Sequence, residues 1–99
     1  MKRYHITLGA RTTANGTVTT ASSMASINGA PLALEGDAVS CPSCHSDGVI
    51  VCAGPRLPDH WNGRPYALQD DLCACKCVPA PRLVANQTLK CQHVQADGD

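Results

Sequence analysis

The sequence predicts one small all-β domain, and three features carry the prediction. Apolar residues come in runs of three to five rich in β-branched side chains, the runs are separated by Gly, Pro, Asn or Asp, and part of the pattern occurs twice. The chain has 99 residues, 43% hydrophobic but only 3% aromatic and without Phe, so its core is built from small side chains. No segment keeps apolar residues at helical spacing for three turns, and Thr, Ser, Val, Asn, Gly and Pro are weak helix formers.

In chain order, strands are expected at residues 4–8, 17–21, 26–28, 31–35, 49–53, 64–68 and 82–85. Asn28-Gly29 and Asn62-Gly63 are hairpin-turn dipeptides, because both residues accept the positive φ of a type I′ turn. These turns expose the repeat. Residues 28–37 (NGAPLALEGD) align without a gap on 62–71 (NGRPYALQDD), with six identities in ten at an offset of 34, which also pairs Cys41 with Cys75. We read repeat units over about 16–41 and 48–75, with a partial third from 80, in a single domain spanning 1–87. A unit this short cannot bury its own apolar face, so the units are expected to pack around a pseudo-three-fold axis. The segments 41–47 and 73–79 then gather at one end. Residues 88–99 lose apolar content and read as a loosely held tail.

Eight basic and eight acidic residues cancel, which argues against a binder of nucleic-acid phosphates. No apolar run reaches the roughly 18 residues of a membrane span. The charged start MKRYHITLGARTT lacks the apolar stretch of a signal peptide, so the expected site of synthesis and residence is the cytoplasm. There thiols stay reduced, and seven cysteines, an odd number, suit metal ligation better than a disulfide framework.

The gathering segments carry most of them. Cys41-Pro42-Ser43-Cys44 is a tight turn that brings two sulfurs to one side, and Cys75-Lys76-Cys77, read as extended, points both thiols one way. Cys41, Cys44, Cys75 and Cys77 are therefore the expected ligands of a structural zinc, with His45 and Cys73 in reserve. Cys52, in an apolar strand, and Cys91, in the tail, are read as bystanders. Asp37, Asp70 and Asp71 occupy turn-capping positions, Trp61 reads as a packing plug or interface anchor, and His60 as a surface residue. No catalytic motif is present, so no enzyme activity is expected.

The repeat, its Gly-Asp positions and the Cys-Pro-x-Cys turn resemble the PAAR-repeat proteins over residues 9–87, on Asn28 to Cys41, Asp47 to Val51 and Asn62 to Cys75. The name motif Pro-Ala-Ala-Arg is replaced by Pro31-Leu32-Ala33-Leu34 and Pro65-Tyr66-Ala67-Leu68. The resemblance implies a small conical prism of β-hairpins with a zinc near its apex. It implies a tip that caps the trimeric VgrG spike of a type VI secretion system through the base of the cone and sharpens it for puncturing membranes. Secreted effectors, transient contact with the target membrane, and export on the spike without a signal peptide follow from the same resemblance. A zinc-ribbon-like binding module is the alternative reading of CxxC followed by CxC.

Overall fold

The computed structural model describes residues 2–94, and among them every regular element is a strand. In order these are β1 (Lys2–Tyr4), β2 (Arg11–Thr12), β3 (Thr17–Val18), β4 (Ser26–Ile27), β5 (Ala30–Pro31), β6 (Ala38–Cys41), β7 (Ser46–Val51), β8 (His60–Trp61), β9 (Arg64–Pro65), β10 (Leu72–Ala74), β11 (Leu83–Val84) and β12 (Cys91–His93).

The pseudo-three-fold arrangement is written in the backbone hydrogen bonds. Residues 5–7, 32–34 and 66–68 form a closed triangle through three antiparallel bridges, His5↔Leu68, Thr7↔Leu32 and Leu34↔Tyr66. Its cycle is complete: Ile6 N–H donates to Ala67 O, Ala67 N–H to Ala33 O, and Ala33 N–H to Ile6 O, at 3.0, 3.0 and 2.8 Å. After each side of the triangle the chain turns into a hairpin, β2–β3, β6–β7 or β10–β11. The six hairpin strands pair antiparallel in the order β10-β7-β6-β3-β2-β11. A bridge between Leu72 and Arg82 and the bond from Cys73 N–H to Pro81 O (2.8 Å) join the two ends. These contacts nearly close the sheet and leave little of its edge free.

Side-chain alternation divides the triangle into two faces. Ile6, Ala33 and Ala67 point into the hairpin barrel and join Ala10, Val18, Val39, Ile50, Cys73 and Leu83 in the core. His5, Thr7, Leu32, Leu34 and Leu68, at the alternate positions, are also buried, beside the three ribbons that lead into the sides. In two ribbons, β4–β5 and β8–β9, the expected Asn-Gly turns are present, with φ of 50° and 81° at Asn28 and Gly29 and 51° and 78° at Asn62 and Gly63.

The third ribbon corrects two expectations. β12 pairs antiparallel with β1 (Lys2↔His93, Arg3↔Gln92, Tyr4↔Cys91), so residues 91–93 are part of the fold and not a loose tail. Residues 95–99 of that expected tail lie outside the described residues. The third unit is accordingly split between the two ends of the chain. Its ring and hairpin are residues 5–18, and the strand expected to open a partial third unit near 80 is the returning arm of the hairpin begun by β10. Gln87 fastens this ribbon by donating from Nε2 to the His5 and Lys90 carbonyls, both at 2.9 Å. Truncation after Gln87 removes the three-residue pairing and the bond from His5 N–H to Lys90 O. It is expected to cost about 2–4 kcal/mol at roughly 1 kcal/mol per bond, read as a lower denaturant midpoint.

Asp37 and Asp71 cap their turns as expected, each Oδ2 accepting from the backbone N–H three residues earlier, Leu34 or Leu68, at 2.7 Å. Each also meets an arginine from the next ribbon: Arg64 reaches Asp37 and Arg3 reaches Asp71. By the pseudo-symmetry the third such pair is Ala10 and Ala30, so carboxylate and guanidinium are missing together.

His5 is 1% exposed, and its Nδ1 has no hydrogen-bond partner among the described residues. Burial first, then the Lys90 ammonium, lowers its pKa below 6.5. The unfolded chain therefore binds the extra proton first, and stability falls as pH drops below about 6.5. His5→Leu, which copies Leu32 of the next unit, is expected to remove that part of the acid sensitivity in melts recorded between pH 7 and 5.

Candidate metal centre

The hairpin loops lie at the end of the barrel away from the triangle, and two of them carry the thiols. In unit two β6 ends at Cys41, and Pro42-Ser43-Cys44 turns the chain back into β7. His45, at the end of that turn, has φ 54° and bonds from N–H to Pro42 O at 3.3 Å. In unit three Cys75 follows β10 at the place equivalent to Cys41. The segment 75–77 bends there and does not continue the strand as expected. Ala14 holds the equivalent place in unit one, whose loop contributes a carbonyl: Ser43 Oγ donates to Ala14 O at 3.2 Å.

The structure brings the four expected thiols together. The Sγ atoms of Cys41, Cys44, Cys75 and Cys77 all lie within 4.8 Å of one another, Cys41 buried and the other three half-buried. Cys41 and Cys77 are 3.6 Å apart, across two repeat units. Around a tetrahedral ion with metal–sulfur bonds of about 2.3 Å the sulfur–sulfur edge is about 3.8 Å, so small side-chain rotations close the site. Among themselves the thiols hold protons unevenly. The Ser46 hydroxyl, 3.0 Å away, lowers Cys44 to about 6, whereas the hydrogen bond with Cys41, then burial, pushes Cys77 up to about 12. A bound dication would favour the ionised form of all four.

The two reserves fall outside this group. His45 is exposed, and Cys73, on β10, faces inward as part of the core, where burial raises it to about 12. Cys52 and Cys91 lie outside it too. Gly48 permits the close packing beneath the site. A Cβ there would stand 2.7 Å from Ala74 O and 2.8 Å from Cys73 Sγ. Gly48→Ala is therefore expected to cost about 1–3 kcal/mol by overpacking, read as a lower melting temperature.

A triangular ring, three hairpins nearly closed into a barrel and cysteines on converging loops are thus the frame of the chain. The family model for the PAAR motif matches residues 8–80. The chain belongs to the PAAR-motif family. The match takes in the β2–β3 and β6–β7 hairpins of this PAAR fold, β10 and the four clustered cysteines, and leaves β11 and the ribbon of β1 and β12 outside. No curated protein and no solved structure matches the chain.

A PAAR domain with this donor set suits a soft or borderline metal. Four thiols without a carboxylate are the ligands of tetrahedral zinc or of iron–sulfur chemistry, not of calcium or magnesium. When bound, such an ion would tie the Cys41–Cys44 turn of unit two to the 75–77 bend of unit three. The four positions would all be filled by protein, as in structural sites.

Proposed function

We propose that the chain is a structural spike-tip protein, with a zinc held by Cys41, Cys44, Cys75 and Cys77 stiffening the apex. The observation that carries the reading is the joint one: a closed three-fold ring at one end of a PAAR fold and a four-thiol cluster at the other. A ring of three equivalent sides matches a trimeric partner in symmetry, with one ring side and one ribbon for each subunit. The molecule measures 35 × 34 × 24 Å.

In this reading the ring end docks on a trimeric VgrG-type spike of a type VI secretion system, and the thiol end leads through the target membrane. The chain acts mechanically and not as an enzyme. It is made in the cytoplasm, leaves on the spike, and helps recruit or deliver effectors. The site's side chains serve this role by fixing geometry. β6 and β10 place Cys41 and Cys75 at equivalent positions of two units, and the two loops supply Cys44 and Cys77.

Native mass spectrometry with a trimeric β-helical spike tests the proposal. One chain per trimer is the expected result. Retention on a polyanion at moderate salt without spike binding would favour the zinc-ribbon-like reading instead.

A further inference from the structure

The same apex holds a second kind of cross-link. We infer that Cys41 and Cys77, when no ion is bound, form a disulfide by exchange with a low-molecular-weight disulfide, and that this bond holds the two apical loops together in place of the metal. The inference deepens the proposed metal reading and rests on it only for the competition between the two fates.

Three observations support the pair. Their sulfurs are in direct hydrogen-bond contact at 3.6 Å, so modest rotation brings them to bonding distance. Cys44 is instead engaged by Ser46 Oγ at 3.0 Å and lies 4.0 Å from the Cys41 carbonyl. Cys77 is half-buried and precedes Val78, which is 95% exposed, so the loop is open to a small disulfide, whereas Cys41 is 3% exposed and is reached from within.

The chemistry balances as two exchanges. Cys77, after losing its proton to solvent, attacks one sulfur of oxidised glutathione, forming a mixed disulfide and releasing one glutathione thiolate. The Cys41 thiolate then attacks the Cys77 sulfur and releases the second. Two protein S–H groups are oxidised, one glutathione disulfide is reduced to two thiols, and the two protons pass to those thiols. Because Cys41 belongs to unit two and Cys77 to unit three, the bond ties neighbouring units as the ion would. A Cys41–Cys44 bond would stay within one turn.

The test uses the full chain carrying Cys52→Ser and Cys91→Ser, which removes the two thiols away from the apex. Metal-loaded and chelator-stripped samples are incubated with oxidised glutathione, quenched in acid, and read by intact mass and peptide mapping without reduction. The stripped sample is expected to lose two hydrogens, to give a linked peptide containing Cys41 and Cys77, and to melt higher than its reduced form. Adding Cys77→Ser is expected to abolish the link. Glutathione adducts alone, or a bond between Cys41 and Cys44, would overturn the inference. A chain that takes up no metal yet forms the Cys41–Cys77 bond would sink the metal reading and leave this one standing.

Discussion

Asp71→Ala is expected to lower stability by about 3–5 kcal/mol, the range for removing one partner of a buried ion pair. For a domain of this size that lowers the melting temperature by more than about 12 °C. Asp71 is fully buried and joins three parts of the chain. Its Oδ2 accepts from Leu68 N–H at 2.7 Å, closing the turn after the ring. Its Oδ1 accepts from Ala53 N–H at 3.0 Å, from Arg3 at 2.9 Å and from Arg56. Arg3 in turn donates to the Gln69 and Pro55 carbonyls, and Arg56 to those of Ala53 and Tyr66. Deleting the carboxylate leaves two guanidinium groups held inside the fold without a counter-charge. Asp71→Asn keeps an acceptor for Leu68 but not the charge, and is expected to rescue only part of the loss.

Asp37 makes the matched control. It accepts from Leu34 and Ser22 amides and from the Thr20 and Ser22 hydroxyls, but its arginine, Arg64, has a side chain 40% exposed. Asp37→Ala strands less charge and is expected to cost less than Asp71→Ala. Burial raises the Asp37 pKa, and the hydrogen bonds from Ser22, Leu34 and Thr20 outweigh it and hold the carboxyl below the usual range. Its contribution is therefore present above the unfolded value near 4 and lost as pH falls below it. Acid melts of the wild type and Asp37→Ala should differ above pH 4 and converge below it.

Removing the metal has the second large effect. An ion at a hundredfold excess over its dissociation constant stabilises the folded state by about 2.7 kcal/mol, and tighter binding by more. Chelation is therefore expected to lower the melting temperature by roughly 10–20 °C or more. The fold makes the dependence understandable. The core is built from Ala, Val, Ile, Leu and Cys side chains, and at the apex two loops converge on four thiols. Serine at any one of the four positions is expected to reproduce most of the loss and to make the melt insensitive to chelator.

The sequence announced the parts that physical chemistry marks locally. The Asn-Gly turns were legible because few residues accept consecutive positive φ. The turn-capping role of Asp37 and Asp71 was legible because a carboxylate there accepts the backbone amide three residues earlier. The four thiols were legible because two equivalent loops of a repeat must meet. The third unit was hidden for a physical reason. His5-Ile6-Thr7-Leu8-Gly9-Ala10 shares only its glycine with Leu32 to Asp37, since this copy has no carboxylate to cap and no arginine to meet. Its ribbon is completed by residues from the far end of the chain, a pairing that no local pattern reveals. One signal was available: Gly9 sits where Gly36 does, and a search for ring-strand equivalents ending in glycine would have placed the unit at the N-terminus. β10 was missed because Leu72-Cys73-Ala74 was absorbed into a cysteine-rich segment read as loop, although its middle residue is a core side chain.

Elemental mass spectrometry of the purified chain, with single serine substitutions at each cysteine, tests the central claim most directly. One equivalent of zinc per chain is expected, lost on Cys41→Ser, Cys44→Ser, Cys75→Ser and Cys77→Ser and kept on Cys52→Ser and Cys91→Ser. A wild-type chain that carries no metal, or one whose metal survives all four apical substitutions, would contradict the account.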